Sequence, residues 1–444
     1  IAGFGSINGD KFSEDNARAA VLAYDYTVLA GTQGAFNHKK TDRVLELAQD
    51  WQAPVVFFTE GGGGRPGDTD FAKVQGSTLD VMTFATFAKA SGIAPRVAVN
   101  NGYCFAGNAV LFGCADVTIA TKSSYIGMGG PAMIEGGGLG VVDPTEVGPS
   151  DIQFSNGVID LLAEDEADAV GMTKKLLGFF QGRVSGHQCA DQRLLRHVIP
   201  EDRKRAYDVR PLIETLADED SVLELRAGFG PALVTALIRL EGRACGVMAN
   251  VAAVNGGALD RDEADEAARF MQLCDAYDLP IISLIDTPGF MVGPDAETRA
   301  NVRHFSRMFL VGASLNTPYL SVILRKAYGL GAMAMAGGSF HESSQMTLSW
   351  PSGEFGAMGL EGAARLGFRK ELEAIGDLDA REARYREIVD GMYEAGKAVN
   401  IAPFLSIDSV IDPAETRAML VAGLSAIPQA HLPKSSKRPM IDAW

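Results

Sequence analysis

The sequence predicts an α/β protein made of two copies of one domain, each built on a mainly parallel sheet with crossover helices. An amphipathic helix, a proline and a buried strand occur together twice at one spacing. Small-residue loops follow the strands at matching positions, and strands alternate with helices along the chain.

The first matched block pairs "TDRVLELAQDWQAPVVFFTE" (41–60) with "EAARFMQLCDAYDLPIISLID" (266–286), so that Pro54 and Pro280 stand 226 residues apart. At that offset Val44, Leu47, Ala48 and Trp51 map onto Phe270, Leu273, Cys274 and Tyr277. Both sets recur at i, i+3, i+4, i+7, the period of a helix face. Each helix stops before its proline, and the apolar runs Val55–Phe58 and Ile281–Ile285 read as buried strands. The first strand ends in "GGGG", the second in "DTPGF".

The second block pairs "SGIAPRVAVNNGYCFAGNAV" (91–110) with "SLNTPYLSVILRKAYGLGAM" (314–333) at an offset of 223. A proline again leads into a strand, and a small-residue loop opens an apolar helix. "YIGMGGP" (125–131) is echoed by "EFGAMGLEG" (354–362). Three blocks in one order define two domains, 1–205 and 206–444, divided within the polar stretch "GRVSGHQCADQRLLRHVIPEDRKRAYD" (182–208). The acidic "AEDEADA" (163–169) reads as a solvated helix face, and the tail "HLPKSSKRPMIDAW" as an extended surface segment.

Composition narrows the chemistry. With 444 residues, 47% hydrophobic and 22% charged, the chain can bury a substantial core. Forty basic against 56 acidic side chains leave a net charge of −16, a field that repels nucleic acid and anionic lipid. An anionic ligand must therefore be held by local donors. Five cysteines without C-x-x-C spacing point to a reducing compartment, and six scattered histidines without H-E-x-x-H argue against a catalytic metal. No apolar run reaches membrane-spanning length and no signal peptide leads the chain, so a cytoplasmic protein (or a mitochondrial-matrix one, if eukaryotic) is expected. The start at Ile1 reads as a processed end or as part of something longer.

The run "EGGGGR" (60–65) admits four readings. A P-loop needs Lys-Ser or Lys-Thr after its last glycine, whereas Arg65-Pro66 follows here. A dinucleotide fingerprint needs an immediate helix, which Pro66-Gly67 opposes. The third reading is a slim strand-end turn where helix and strand pack closely. The fourth uses the repeat: a glycine loop followed by "FAGNA" or "YGLGA" at a helix start leaves backbone N–H groups free to hold an oxyanion. Two copies provide two such holes, which suits two substrates that each pass through an enolate-like state.

"FMQLCDAYDLPIISLIDTPGF" (270–290), "ILRKAYGLGA" (323–332) and "SWPSGEFGAMGLEGA" (349–363) closely resemble the carboxyltransferase component, β-subunit type, of biotin-dependent acyl-CoA carboxylases. "EGGGGR" stands where that family has D-S-G-G-A-R, and "FAGNAV" where it has C-A-G-G-A-V. The resemblance runs from about residue 20 to 370. It implies two tandem crotonase-like (ββα superhelix) domains, the first on the acyl-CoA side and the second on the biotin side.

By this resemblance the amides of Gly107 and Asn108 hold the thioester oxygen of the acyl-CoA as its enolate forms, and those of Leu330 and Gly331 hold the ureido oxygen of biotin. Gly62, Gly63, Arg65, Ala106 and Met333 fall on the acyl-CoA side, with Gly62 and Gly63 keeping the turn slim for the substrate; Tyr328 and Gly329 fall on the biotin side. Carboxybiotin on a carrier protein would give CO2 and an anionic ureido group that takes the α-proton, and the resulting carbanion would attack CO2. Both anions carry charge on oxygen and need preorganised donors, with no metal in this component. Partners implied are a biotin carboxylase, a biotin carboxyl carrier and further copies of the chain: a dimer at least, hexamers being common in the family.

Two places depart from the family pattern. Leu330-Gly331 replaces Gly-Ala, and Asn108 replaces a glycine, where asparagine is expected to tolerate an unusual φ. Met333 stands near a position often occupied by aspartate, and its apolar side chain points to a longer acyl chain. Asp286, beside Pro288-Gly289, reads as a turn-capping acid. Rival readings are a biotin-dependent acyl-CoA decarboxylase, a cofactor-independent hydratase or isomerase, and an inactive scaffold copy.

Overall fold

The computed structural model describes residues 1–65, 81–340, 344–427 and 440–444. Pro66-Gly67 and most of the segment 431–444 lie outside the described residues. The chain groups into two compact units, one of residues 1–184, 223–229 and 435–444, the other of 185–222 and 230–434.

The first unit contains β1 (Ala2–Ser6), β2 (Arg18–Ala23), β3 (Val55–Phe58), β4 (Arg96–Asn100), β5 (Tyr103–Phe105), β6 (Val117–Thr121), β7 (Tyr125–Gly127) and β8 (Leu161–Ala163). Six form one sheet in the order β1-β2-β3-β4-β6-β8, antiparallel only between β1 and β2. β5 and β7 form a separate parallel pair. Every side chain of β4 and β6 is buried, the polar Arg96, Asn100, Thr118 and Thr121 included, as central strands of a parallel sheet require. Val55, Phe57, Phe87, Leu111 and Phe112 belong to its core. The returning segment 223–229, which includes β9 (Leu223–Leu225), is tied in by Arg226, whose Nε donates to the buried Asp160 at 2.7 Å.

The second unit repeats this plan. β10 (Leu233–Leu240) and β11 (Arg243–Asn250) are antiparallel, and β12 (Ile281–Thr287), β13 (Tyr319–Tyr328), β14 (Met346–Ser349) and β16 (Ser409–Val410) follow in parallel. β15 (Glu354–Gly356) pairs with the end of β13, as β7 pairs with β5. The units change over at Val184/Ser185, not at 205/206. The physical reason lies in Leu195, Tyr207, Val209, Leu212, Ile213 and Leu216, which pack into the core of the second unit.

The predicted strand Val55–Phe58 is observed as such, and Ile281–Ile285 extends to Thr287. The helix Ala35–Asp50 buries a face different from the expected one. Thr41, Leu45 and Ala48 point inward, while Trp51 is half exposed and rests on Phe4 with ring centroids 4.5 Å apart. In the repeat, Phe270, Leu273 and Cys274 are buried as expected.

Candidate active site

At each strand end the two copies build the same pair of touching turns. In the first, Gln33 N donates to Gly63 O at 2.8 Å and Arg65 N to Gln33 O at 2.8 Å. In the second, 226 residues on, Leu259 N donates to Gly289 O at 3.0 Å and Met291 N to Leu259 O at 2.8 Å. Gly63 (φ 88°) and Gly289 (φ 116°) take the positive φ that this turn demands.

The second turn of each pair opens a helix. β5 ends at Phe105, and the helix Gly107–Gly113 begins after Ala106, which has φ 52° and ψ −121°. β13 ends at Tyr328, followed by Gly329 with φ 58° in the helix Gly329–Met335. Ala106 and Gly329 are related by the 223-residue offset, so one sharp reversal serves both copies. The N–H groups just after it belong to Gly107 and Asn108 in one case and to Leu330 and Gly331 in the other. None of these four finds an internal acceptor among the described residues. Each pair is therefore a preorganised double donor at a helix start.

Packing explains the small residues. A Cβ on Gly63 would lie 2.6 Å from the Ala106 Cβ, and one on Gly331 would lie 2.6 and 2.7 Å from the backbone of Gly289. Gly63 is thus slim because the Ala106 turn presses on it; Gly62 is exposed, its nearest neighbour the methyl of Thr32.

Asn108 is helical, and the residue with unusual φ is Ala106. The asparagine is present for its side chain. Fully buried, its Oδ1 accepts from Gly63 N at 3.0 Å, and its Nδ2 donates to Thr59 O at 3.0 Å and Glu60 O at 3.3 Å. It clips the glycine turn to the helix start.

Asp286 caps no turn of its own. It is fully buried, paired with Arg325 Nη2 at 3.0 Å and Lys326 Nζ at 3.2 Å. Tyr328 is also buried and donates its hydroxyl to Glu354 at 2.9 Å; burial first, and the carboxylate with it, raise the phenol's pKa. Burial also pushes the Glu354 carboxyl up and the Lys326 ammonium down. Arg65 bends back onto Thr32, donating to its hydroxyl at 3.3 Å and its carbonyl at 3.1 Å. Met333 is half buried, and Leu330 is 62% exposed.

Gln33 went unnoticed in the sequence. It is buried, donates to the Tyr24 hydroxyl at 3.1 Å, and sets its Oε1 2.5 Å from where a Gly107 Cβ would stand. The repeat offset alone would have found it, since Gln33 and Leu259 occupy the same place in the two turn pairs.

Among the described residues no helix is long and apolar enough to cross a membrane, and no group of three or more His, Cys, Asp or Glu could hold a metal ion.

Comparison with known proteins supplies the family. The carboxyl transferase domain family matches residues 1–441. The methylmalonyl-CoA carboxyltransferase 12S subunit of Propionibacterium freudenreichii subsp. shermanii is 33% identical, over 94% of this chain and 79% of its own. A transcarboxylase 12S crystal structure, a hexamer described with methylmalonyl-coenzyme A and methylmalonic acid bound, superposes with a TM-score of 0.85 at 30% identity, over 99% of this chain and 84% of that one. A single-chain, multi-domain long-chain acyl-CoA carboxylase is 52% identical with a TM-score of 0.89, over 95% of this chain; the match spans only 41% of that larger protein. The fold of these neighbours is the tandem crotonase-like one that the repeat and its two open sheets describe. The chain belongs to the carboxyl transferase domain family.

Proposed function

We propose that the protein transfers a carboxyl group from carboxybiotin on a carrier protein to the α-carbon of an acyl-CoA. One observation supports this reading: two pairs of N–H groups that find no acceptor among the described residues stand at equivalent places in the two copies, each after a positive-φ residue. Gly107 and Asn108 hold the thioester oxygen as charge develops on it, and Leu330 and Gly331 hold the ureido oxygen. Biotin, when bound, supplies the carboxyl group and an anionic ureido function. The donor set suits it, because main-chain amides serve an oxyanion whatever their side chains, so the exposed Leu330 costs the site nothing. Gly62, Gly63 and Ala106 shape the acyl-CoA side; Arg65, tied to Thr32, braces it. Gly329 supplies the reversal on the biotin side and Tyr328, held by Glu354, supports it from behind.

The acyl group in this reading is a long one. Met333 offers an apolar, half-buried side chain on the helix that opens with Gly329, and the 52%-identical relative is named a long-chain acyl-CoA carboxylase. Biotin carboxylase and carrier components complete the reaction, and the chain works as a homo-oligomer. A relative from Veillonella parvula at 27% identity is named a methylmalonyl-CoA decarboxylase subunit, so the same donors serve either direction.

The test is biotin-dependent loss of the carboxyl group from malonyl-CoA, methylmalonyl-CoA and longer 2-carboxyacyl-CoAs, with free biotin or biocytin as acceptor. Turnover that requires biotin and rises in kcat/KM with chain length is expected. Turnover indifferent to biotin contradicts the reaction, and preference for the acetyl-derived ester contradicts the chain-length assignment.

A further inference from the structure

The strand that delivers the biotin-side turn does not run in simple register with its neighbour. Ile285 of β12 faces Ile323 of β13, but Thr287 faces Ala327. Asp286 alone therefore stands opposite Leu324, Arg325 and Lys326, a bulge that bends β13 and re-aims everything after it. The Asp286 carboxylate fills that bulge. Oδ2 accepts from Arg325 Nε at 3.1 Å and pairs with its Nη2 at 3.0 Å; Oδ1 accepts from Lys326 N at 3.1 Å and pairs with its Nζ at 3.2 Å. The aspartate is itself anchored, its N–H donating to Asn250 Oδ1 at 3.1 Å. Arg325 is held from its far side by the Arg205 carbonyl at 2.9 Å.

Both turns of the biotin-side pair issue from this knot. Gly289 follows Asp286 by three residues, and Gly331 follows Lys326 by five and packs on the Gly289 backbone. The first copy has the same excess of residues, since Phe58 faces Val99 and Gly61 faces Cys104, but there Asn100, Asn101, Gly102 and Tyr103 stand opposite Thr59 and Glu60, and Glu60 is only half buried. There the Asn108 side chain ties the turns. Gly331 has no side chain to do so.

We propose that Asp286 is a positioning residue for the biotin-side donors: its carboxylate closes the bulge and fixes the angle at which Leu330 and Gly331 present their amides. It touches neither substrate. The inference rests on the carboxyl-transfer reading above only for its kinetic arm.

Asp286→Asn keeps an acceptor for the Lys326 N–H and loses both ion pairs; Lys326→Met keeps the Arg325 pair and removes only the outer one. Because stripping a buried charge from its partners can unfold a protein, the milder variant guards the test. Transfer to free biotin by the intact oligomer should slow about 100-fold in Asp286→Asn and about tenfold in Lys326→Met, with KM for the CoA ester unchanged. Adding Lys326→Met to Asp286→Asn should cost nothing further, since both act through one carboxylate. Amide hydrogen exchange supplies a readout independent of turnover. A peptide spanning 324–335 should exchange faster in either variant while one spanning 100–113 keeps the wild-type rate. Wild-type transfer rates in Lys326→Met, or equal loosening of both peptides, overturns the proposal. If the wild-type protein transfers nothing to biotin, the functional reading fails instead, and the exchange data still decide the role of Asp286.

Discussion

The two copies reach one geometry by different chemistry. In the first, a neutral side chain, Asn108, spans the gap between helix start and glycine turn with three hydrogen bonds. In the second, Gly331 lets backbone press on backbone, and a buried ion-pair knot behind the turn holds the angle. The reversal before the donors is made by glycine in the second copy and by a strained alanine in the first. What the repeat preserves is the placement of four N–H groups; the means of holding them has been free to diverge.

The sharpest way to break this comparison is to give the second copy a side chain. Gly331→Ala drives a Cβ to 2.6 Å from the Gly289 backbone, which has no flexible end to yield. Loss of carboxyl transfer to biotin by at least about 100-fold is expected, the scale of losing one oxyanion donor, with CoA-ester binding by calorimetry unchanged. The reciprocal change removes the clip in the first copy. Asn108→Ala leaves the buried Gly63 N–H without its acceptor and takes one donor from each of the Thr59 and Glu60 carbonyls, a cost of about 1–3 kcal/mol. It should lower kcat/KM for the CoA ester by about tenfold to a hundredfold, and Asn108→Asp, whose second carboxylate oxygen would face the Thr59 and Glu60 carbonyls, should not recover it.

A smaller effect tests the strain. Ala106→Gly makes the first reversal like the second, relieving an alanine at φ 52°. Denaturant unfolding should show a gain of about 1 kcal/mol with turnover preserved; destabilisation would mean that the alanine methyl, packed near Gly63, matters more than its backbone. The smallest effect concerns the thiols. Burial pushes Cys104 and Cys245 up to about 12 and Cys274 well above the usual thiol range, whereas Cys189 is exposed. At pH 8 those three carry almost no thiolate, so alkylation of the native protein should mark Cys189 first and spare them until unfolding. Early labelling of Cys104 would show that the first turn pair opens in solution.

Much of this architecture was legible in the sequence because the repeat is local. Pro54 and Pro280, the strands after them and the loops at "FAGNA" and "YGLGA" each lie within a few residues of one another, and their spacing reports the fold directly. The inward face of the first helix was misjudged because Trp51, apolar by type, caps an edge against Phe4 rather than entering the core. Residues that act across the chain were also misread. Asn108 reaches back 45 residues to Gly63, and Asp286 reaches forward 39 to Arg325. No periodicity records such pairings. Asp286 beside Pro288-Gly289 looks like a turn cap until the bulge in β13 brings two cations onto it. Tyr328 likewise looks accessible in "KAYGLG" until Glu354 of the neighbouring strand is seen to hold its hydroxyl.

In the proposed reaction one donor pair serves the CoA ester and the other serves biotin. Its most direct test compares wild type with Gly331→Ala in biotin-dependent decarboxylation of a 2-carboxyacyl-CoA, measuring CoA-ester binding in parallel. Turnover that needs biotin is expected in the wild type, and its loss in the variant with ester affinity intact. Undiminished turnover in the variant, or turnover in the wild type without biotin, would contradict it.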